Sequence, residues 1–108
     1  MNDTLSRLYA VVLDRKANPQ EGSYTCYLFD KGMDKILKKV GEECAETIIA
    51  AKNGDNAETI GEISDLLYHL TVMMAEAGIT MDEVMAKLDE RSCKIGNLKP
   101  MKTVDHDT

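Results

Sequence analysis

Four acidic residues carry the chemical interest of this sequence: Glu43 and Glu46 in GEECAET, and Glu62 and Asp65 in GEISDLL, each pair three residues apart. On a helix, residues at that spacing share a face with Cβ atoms about 5–6 Å apart, so each pair can aim two carboxylates at one point. Packed helices lie roughly 8–10 Å apart. Opposed carboxylates across such a gap repel and raise one another's pKa unless something positive lies between them. All-oxygen ligation suits a hard cation, Mg²⁺ or alternatively Mn²⁺, and magnesium commonly completes its shell with water and phosphate oxygens. The chemistry favoured is metal-assisted phosphoanhydride hydrolysis, in which the cation spreads developing charge and lowers the pKa of a bound water. The plain alternative is a solvated acidic face, since Glu58, Glu62, Asp65, His69 and Glu76 fall on one side of their helix. Di-iron bundles need Glu-x-x-His pairs, which this sequence lacks. His69, four residues after Asp65, is read as a surface or hydrogen-bonding group ahead of a metal ligand.

The elements that must position these carboxylates are read from apolar periodicity and punctuation. A first helix follows the candidate caps Asn2 or Asp3, carries Leu5, Leu8, Val12 and Leu13, and ends at Ala17-Asn18-Pro19. A loop is expected from Gly22 to about Leu28. The second helix starts near Gly32 and lines up Met33, Ile36, Leu37, Val40, Cys44, Thr47, Ile48 and Ala51 before Asn53-Gly54 ends it. Asp55 with Glu58 opens the third, whose stripe of Ile60, Ile63, Leu67, Leu70 and Met74 runs to Gly78. The turn between these two helices is so short that they must form an antiparallel hairpin, with both acidic pairs bordering its seam. The third helix bears a second apolar strip, Tyr68, Val72 and Ala75, which one core cannot also cover, and this predicts packing against another subunit. Thr80 with Glu83 opens a fourth helix carrying Val84, Met85, Leu88 and Ile95 towards Gly96.

Length and composition bound what surrounds the site. At 108 residues the chain is sized for one domain. With no Trp, one Phe and seven Met, its core must be aliphatic and thin, and the Met residues are assigned to it. A net charge of −6 is the wrong sign for neutralising a nucleic-acid backbone. No stretch approaches the roughly 18 apolar residues of a membrane span, and the N-terminus has no targeting pattern, so a cytoplasmic location is expected. Cys26, Cys44 and Cys93 show no paired spacing and are read as reduced thiols, Cys44 in the core.

Three strings together, SYTCYLFDKGMDKILKK, KKVGEECAETIIAAKNGD and EISDLLYHLTVMMAEAGI, resemble the phosphoribosyl-ATP pyrophosphohydrolase family. This is a branch of the MazG-like all-α nucleoside triphosphate pyrophosphohydrolases, whose mark is E-x-x-E on one helix and E-x-x-D on the next. The resemblance reaches to about Gly96. It implies the second step of histidine biosynthesis, cleavage of phosphoribosyl-ATP between its α and β phosphates to phosphoribosyl-AMP and pyrophosphate. It makes Glu43, Glu46, Glu62 and Asp65 the magnesium ligands. Glu42 becomes the leading candidate for positioning or deprotonating the attacking water, with Glu46 able to do so through the metal. In many organisms this domain is fused to the cyclohydrolase that acts next; the few Cys and His here do not suffice for that partner's metal site.

Beside the resemblance stand residues whose types suit a nucleotide. Lys39 and Lys52 flank the acidic pair of the second helix and are taken as substrate-binding, with Arg91 and Lys94 further along, although each also fits a solvated surface charge. Gly41 costs about 1 kcal/mol relative to Ala inside a helix, which points to close approach by substrate or a neighbouring helix. Tyr24 and Thr25 are candidates for a nucleotide pocket or for covering the core. The expectation is therefore an all-α domain over residues 1–98, an antiparallel hairpin within a four-helix bundle completed by homodimerisation, and a disordered tail over 99–108. The alternatives are a housekeeping pyrophosphohydrolase for dUTP or dCTP, separated by substrate choice, and a non-catalytic helical interaction domain, which would show no magnesium-dependent thermal shift.

Overall fold

Helix α1, Thr4–Ala17, begins at Asp3 in the cap position, but the Asp3 carboxylate accepts from the Arg7 guanidinium and leaves the backbone uncapped. The computed structural model describes residues 3–96, with side chains to residue 94. Asn2, Ile95 as a side chain, and the expected tail over 99–108 lie outside the described residues. Arg15 and Lys16 occupy the last turn of α1, where cations favour the carbonyl end of the dipole.

The segment expected to be a loop from Gly22 to about Leu28 is instead largely helical: α2 spans Tyr24–Lys31. Ser23 caps it, its Oγ accepting from the Cys26 amide at 3.2 Å. Two turns are too short for a helical stripe to register in sequence, and too short to be stable alone. What holds α2 is complete burial of Leu28 among the neighbouring helices. Gly32, at φ 93°, then provides the positive-φ corner that separates α2 from α3, Met33–Lys52.

Helix α3 and α4, Asn56–Ala77, form the expected antiparallel hairpin across a turn in which Asp55 Oδ1 accepts from the Glu58 amide at 3.0 Å. Gly78 ends α4 in the left-handed conformation. Helix α5, Met81–Gly96, opens with the reciprocal cap read from the sequence: Glu83 Oε1 accepts from the Thr80 amide at 2.8 Å, and Thr80 Oγ1 from the Glu83 amide at 3.1 Å.

The core gathers Tyr9 and Val12 of α1, Leu28 of α2, Ile36 of α3, Val72, Met74 and Ala75 of α4, and Met81 of α5. It therefore occupies the end of the hairpin away from the α3–α4 turn. The second apolar strip of α4 is the one the chain itself covers, with Val72 fully buried. Much of the main stripe stays in solvent, Ile60 at 65%, Ile63 at 42% and Leu67 at 41% exposed. On α3, Cys44 is exposed and not in the core, as are Leu37 and Ile48, because no helix among the described residues covers that side. The methionines divide likewise: Met74 and Met81 are buried, whereas Met85, on the part of α5 beyond Val84, is exposed.

Since Leu28 is the buried anchor of a helix with little stability of its own, Leu28→Ala is expected to destabilise the fold by about 2–4 kcal/mol. Urea unfolding monitored by circular dichroism reads this directly.

Candidate functional site

The α3–α4 seam turns Glu43, Glu62 and Asp65 towards one another, with one carboxylate oxygen from each lying within 4.8 Å of the other two. Oxygens on a single magnesium ion lie about 3.0 Å apart when cis and about 4.2 Å when trans, for bonds of about 2.1 Å, so the three carboxylates need only draw in from their present spacing to share a cation. Glu43 is buried, and Glu43 Oε2 and Glu62 Oε2 are both shielded from solvent with no hydrogen-bond partner. A buried, unpaired carboxylate oxygen is costly unless a cation or proton meets it. The donor set and the two orphaned atoms thus fit a hard divalent cation.

Glu46 joins the cluster through Glu62. The Glu46 carboxyl, within hydrogen-bonding reach once Glu62 is protonated, then desolvation, then the Glu43 carboxyl in the same relation, push Glu62 up to about 7, as expected of acids crowded together with no cation between them. Beside this contact lies a groove of about 320 Å³ lined by Glu46, Ile49, Ala50, Asn53, Glu58 and Glu62. Asn53 and Glu58 were not singled out as site residues from sequence. Glu58 had a usable signal, since it lies four residues before Glu62 and so shares its face.

Glu42 is placed differently. It is half-exposed and faces Lys39, whose Nζ lies 3.5 Å from Glu42 Oε1 and 4.0 Å from Glu43 Oε1. Partial burial pulls the Lys39 pKa down, but Tyr24, Glu42 and Glu43 outweigh it and raise the value, so the ammonium is held charged beside the cluster. Lys52 sits exposed in the last turn of α3. On α5, Lys94 pairs with Glu90 at 3.6 Å and Arg91 is exposed. Among the described residues a Cβ on Gly41 would meet no atom within 4 Å, so none of their helices requires glycine there.

His69 is buried in a hydrogen-bonding role. Its Nδ1 lies 2.8 Å from the Asp65 main-chain oxygen, which can only accept, so Nδ1 carries the proton. On the neutral ring Nε2 then accepts from the Tyr24 hydroxyl at 3.0 Å. Next to it the Tyr68 hydroxyl bonds Thr25 Oγ1, and the Tyr24 and Tyr68 rings stack with centroids 6.2 Å apart. Residues Tyr24 and Thr25 thereby strap α2 onto α4 one turn from Asp65. Desolvation is the main cause raising the Tyr24 pKa, so the phenol stays protonated and able to donate. Sequence spacing alone had no means of joining residues so far apart in the chain.

Residues 5–92 match the family described as phosphoribosyl-ATP pyrophosphohydrolase. The chain is 55% identical over 100 residues to the phosphoribosyl-ATP pyrophosphatase of Streptococcus thermophilus, covering 93% of this chain and 96% of that one. It is 50% identical over 98 residues to the protein of the same name from Clostridium novyi, covering 91% and 89% respectively. It is also 52% identical over 102 residues to the histidine biosynthesis bifunctional protein HisIE of Lactococcus lactis, covering 94% of this chain and 48% of that protein.

The raised Glu62 carboxyl gives the metal-free protein a distinctive pH dependence. Glu62 has a folded-state pKa of about 7 against an ordinary 4.5, so the folded state binds more protons than the unfolded state between those values. Its contribution to stability is fully present below the lower value and is lost as pH rises through the upper one. In chelator, Tm is expected to fall across that window. Magnesium, replacing the proton, should reverse the fall, and Glu62→Gln should flatten it. Calorimetric melts over that pH range with and without Mg²⁺ measure all three.

Proposed function

The chain belongs to the phosphoribosyl-ATP pyrophosphohydrolase family, and on that premise we propose that it cleaves phosphoribosyl-ATP between the α and β phosphates using magnesium held by Glu43, Glu46, Glu62 and Asp65. It is a hydrolase of histidine biosynthesis. The observation that carries the metal assignment is the pair of buried carboxylate oxygens, on Glu43 and Glu62, that face Asp65 without a hydrogen-bond donor. Manganese suits the same donors.

When bound, the cation would neutralise the polyphosphate, spread the charge developing at phosphorus and acidify a water. The protein's own groups do the rest. Glu43 is held by burial in the seam, while the exposed Asp65 carboxylate stands on a turn of α4 whose backbone accepts from His69. Glu46 lies exposed in the groove beside Glu62, which leaves it free to accept a proton from the attacking water, whereas Glu42 is engaged with Lys39. The Lys39 ammonium stands beside the cluster to meet a phosphate oxygen, and Lys52 supplies a second cation at the end of α3.

A second copy of the chain is part of this reading. Leu37, Ile48, Ile60, Ile63 and Leu67 lie exposed on the two helices that carry the acids, more apolar surface than a small soluble domain ordinarily leaves uncovered on one hairpin. A homodimer that buries them would also exclude water from the carboxylates. A cytoplasmic location accords with a biosynthetic hydrolase in which, among the described residues, no helix is long and apolar enough to cross a membrane.

Pyrophosphate release from phosphoribosyl-ATP, with Mg²⁺ or chelator and with dUTP, dCTP and ATP as competitors, tests the reaction. Glu46→Gln is expected to lose about 100-fold in kcat, and Asp65→Asn roughly tenfold or more in magnesium affinity, while Glu42→Gln stays within about tenfold of the parent. Full activity in Glu46→Gln would remove it as the base. For the dimer, light scattering on Ile63→Glu should report a monomer where the parent is dimeric; a monomeric parent at micromolar concentration would discard the second copy.

A further inference from the structure

The proposed substrate differs from ATP at the end remote from the scissile bond. Its second ribose is attached through adenine N1, which makes the ring an amidinium, protonated and positive near neutral pH, whereas the adenine of ATP or AMP is neutral there. Discriminating the two requires a flat, electron-rich, negatively biased surface at a distance from the carboxylates that take the phosphates.

Such a surface lines the cavity between the C-terminal turn of α1 and α2. Its volume of about 860 Å³ falls in the roughly 300–1,000 Å³ range of small-ligand sites. Tyr24 and Tyr27 form part of its wall, with rings 6.1 Å apart at 22° and 46% and 43% of each residue open to solvent. Tyr24 is common to both sites. Its ring lines the cavity, while its hydroxyl bonds His69, which holds the Asp65 carbonyl, so cavity and carboxylates adjoin through one residue.

Rings at this site already attract cations within the chain: Lys31 Nζ stands 5.7 Å from the Tyr27 centroid and Lys16 Nζ 5.4 Å from that of Phe29. The charged side chains that line the wall are two cations, Arg15 and Lys16, against three acids, Glu21, Asp30 and Glu76, with Lys31 outside the lining beside the Tyr27 ring. Arg15 is answered by Asp14 at 3.1 Å and Lys16 by Glu76 at 3.0 Å, whereas Glu21 and Asp30 have no salt-bridge partner among the described residues. A neutral adenine gains only stacking in this cavity. A cationic one gains attraction to the ring face and to two uncompensated carboxylates as well.

We propose that this cavity is the subsite for the N1-ribosylated adenine, and that the Tyr24 face with Glu21 and Asp30 selects its positive charge. The inference rests on the phosphoribosyl-ATP reading and deepens it. It is tested with AMP and 1-methyl-AMP, which differ in ring charge and carry the same phosphate, as competitive inhibitors in the presence of Mg²⁺. The parent enzyme should bind 1-methyl-AMP about tenfold more tightly than AMP. Tyr24→Phe, which keeps the ring and loses the His69 bond, should retain the preference. Tyr24→Leu should abolish it, and Asp30→Asn should reduce it several-fold. Because Asp30 is exposed, its variant decides the matter if Tyr24→Leu does not fold. Equal inhibition by the two nucleotides in the parent, or a preference that survives in Asp30→Asn and in folded Tyr24→Leu, would overturn the subsite. A parent that turns over phosphoribosyl-ATP without preferring 1-methyl-AMP loses the subsite alone; one that does not turn it over loses the reading beneath it.

Discussion

Repulsion among carboxylates brought together at one seam is the constraint on which this structure turns. Glu43, Glu62 and Asp65 converge within 4.8 Å, and Glu46 adds a fourth acid through its contact with Glu62. No packed core places like charges at that distance for stability, because each buried charge without a partner opposes folding. The hairpin tolerates them because Val72, Ile36 and Leu28 pack tightly at its other end. One end of the α3–α4 pair therefore supplies adhesion and the other holds the carboxylates to which we assign a cation.

The strap from α2 ties these two ends together. Tyr24 and Thr25 reach His69 and Tyr68, and His69 reaches the backbone of Asp65. These bonds hold the backbone of α4 beside the acids and leave the Asp65 carboxylate itself free. The same Tyr24 ring borders the large cavity beside α1, so a small helix with one buried leucine links the core, the acidic cluster and the space available to a nucleotide. Its stability comes from Leu28 and these hydrogen bonds.

Apolar surface is divided in a manner that a single chain does not explain by itself. Val72 and Ala75 on one side of α4 are buried, and Ile60, Ile63 and Leu67 on the other are open. An amphipathic helix normally spends its longest stripe on its own core. Here the longest stripe borders Glu62, so whatever covers it also governs how much water reaches the carboxylates.

Periodicity and punctuation in the sequence determined the two long helices, their hairpin, the Thr80–Glu83 cap and the grouping of the acidic pairs, because each depends on residues a few positions apart. They also determined the family, through strings long enough to be specific. Short-range signals failed wherever burial came from distant residues. Helix α2 leaves no signature in the sequence because its stability resides in contacts to other elements. The stripe that includes Cys44 shows that a face is apolar and not what covers it. Only the tertiary structure decided that Glu42 turns to Lys39 while Glu46 meets Glu62, and that His69 links Asp65 to Tyr24. The physical reason is range: helix geometry propagates over one or two turns, whereas charge, burial and hydrogen bonding at this site are set by side chains that only the folded chain brings together.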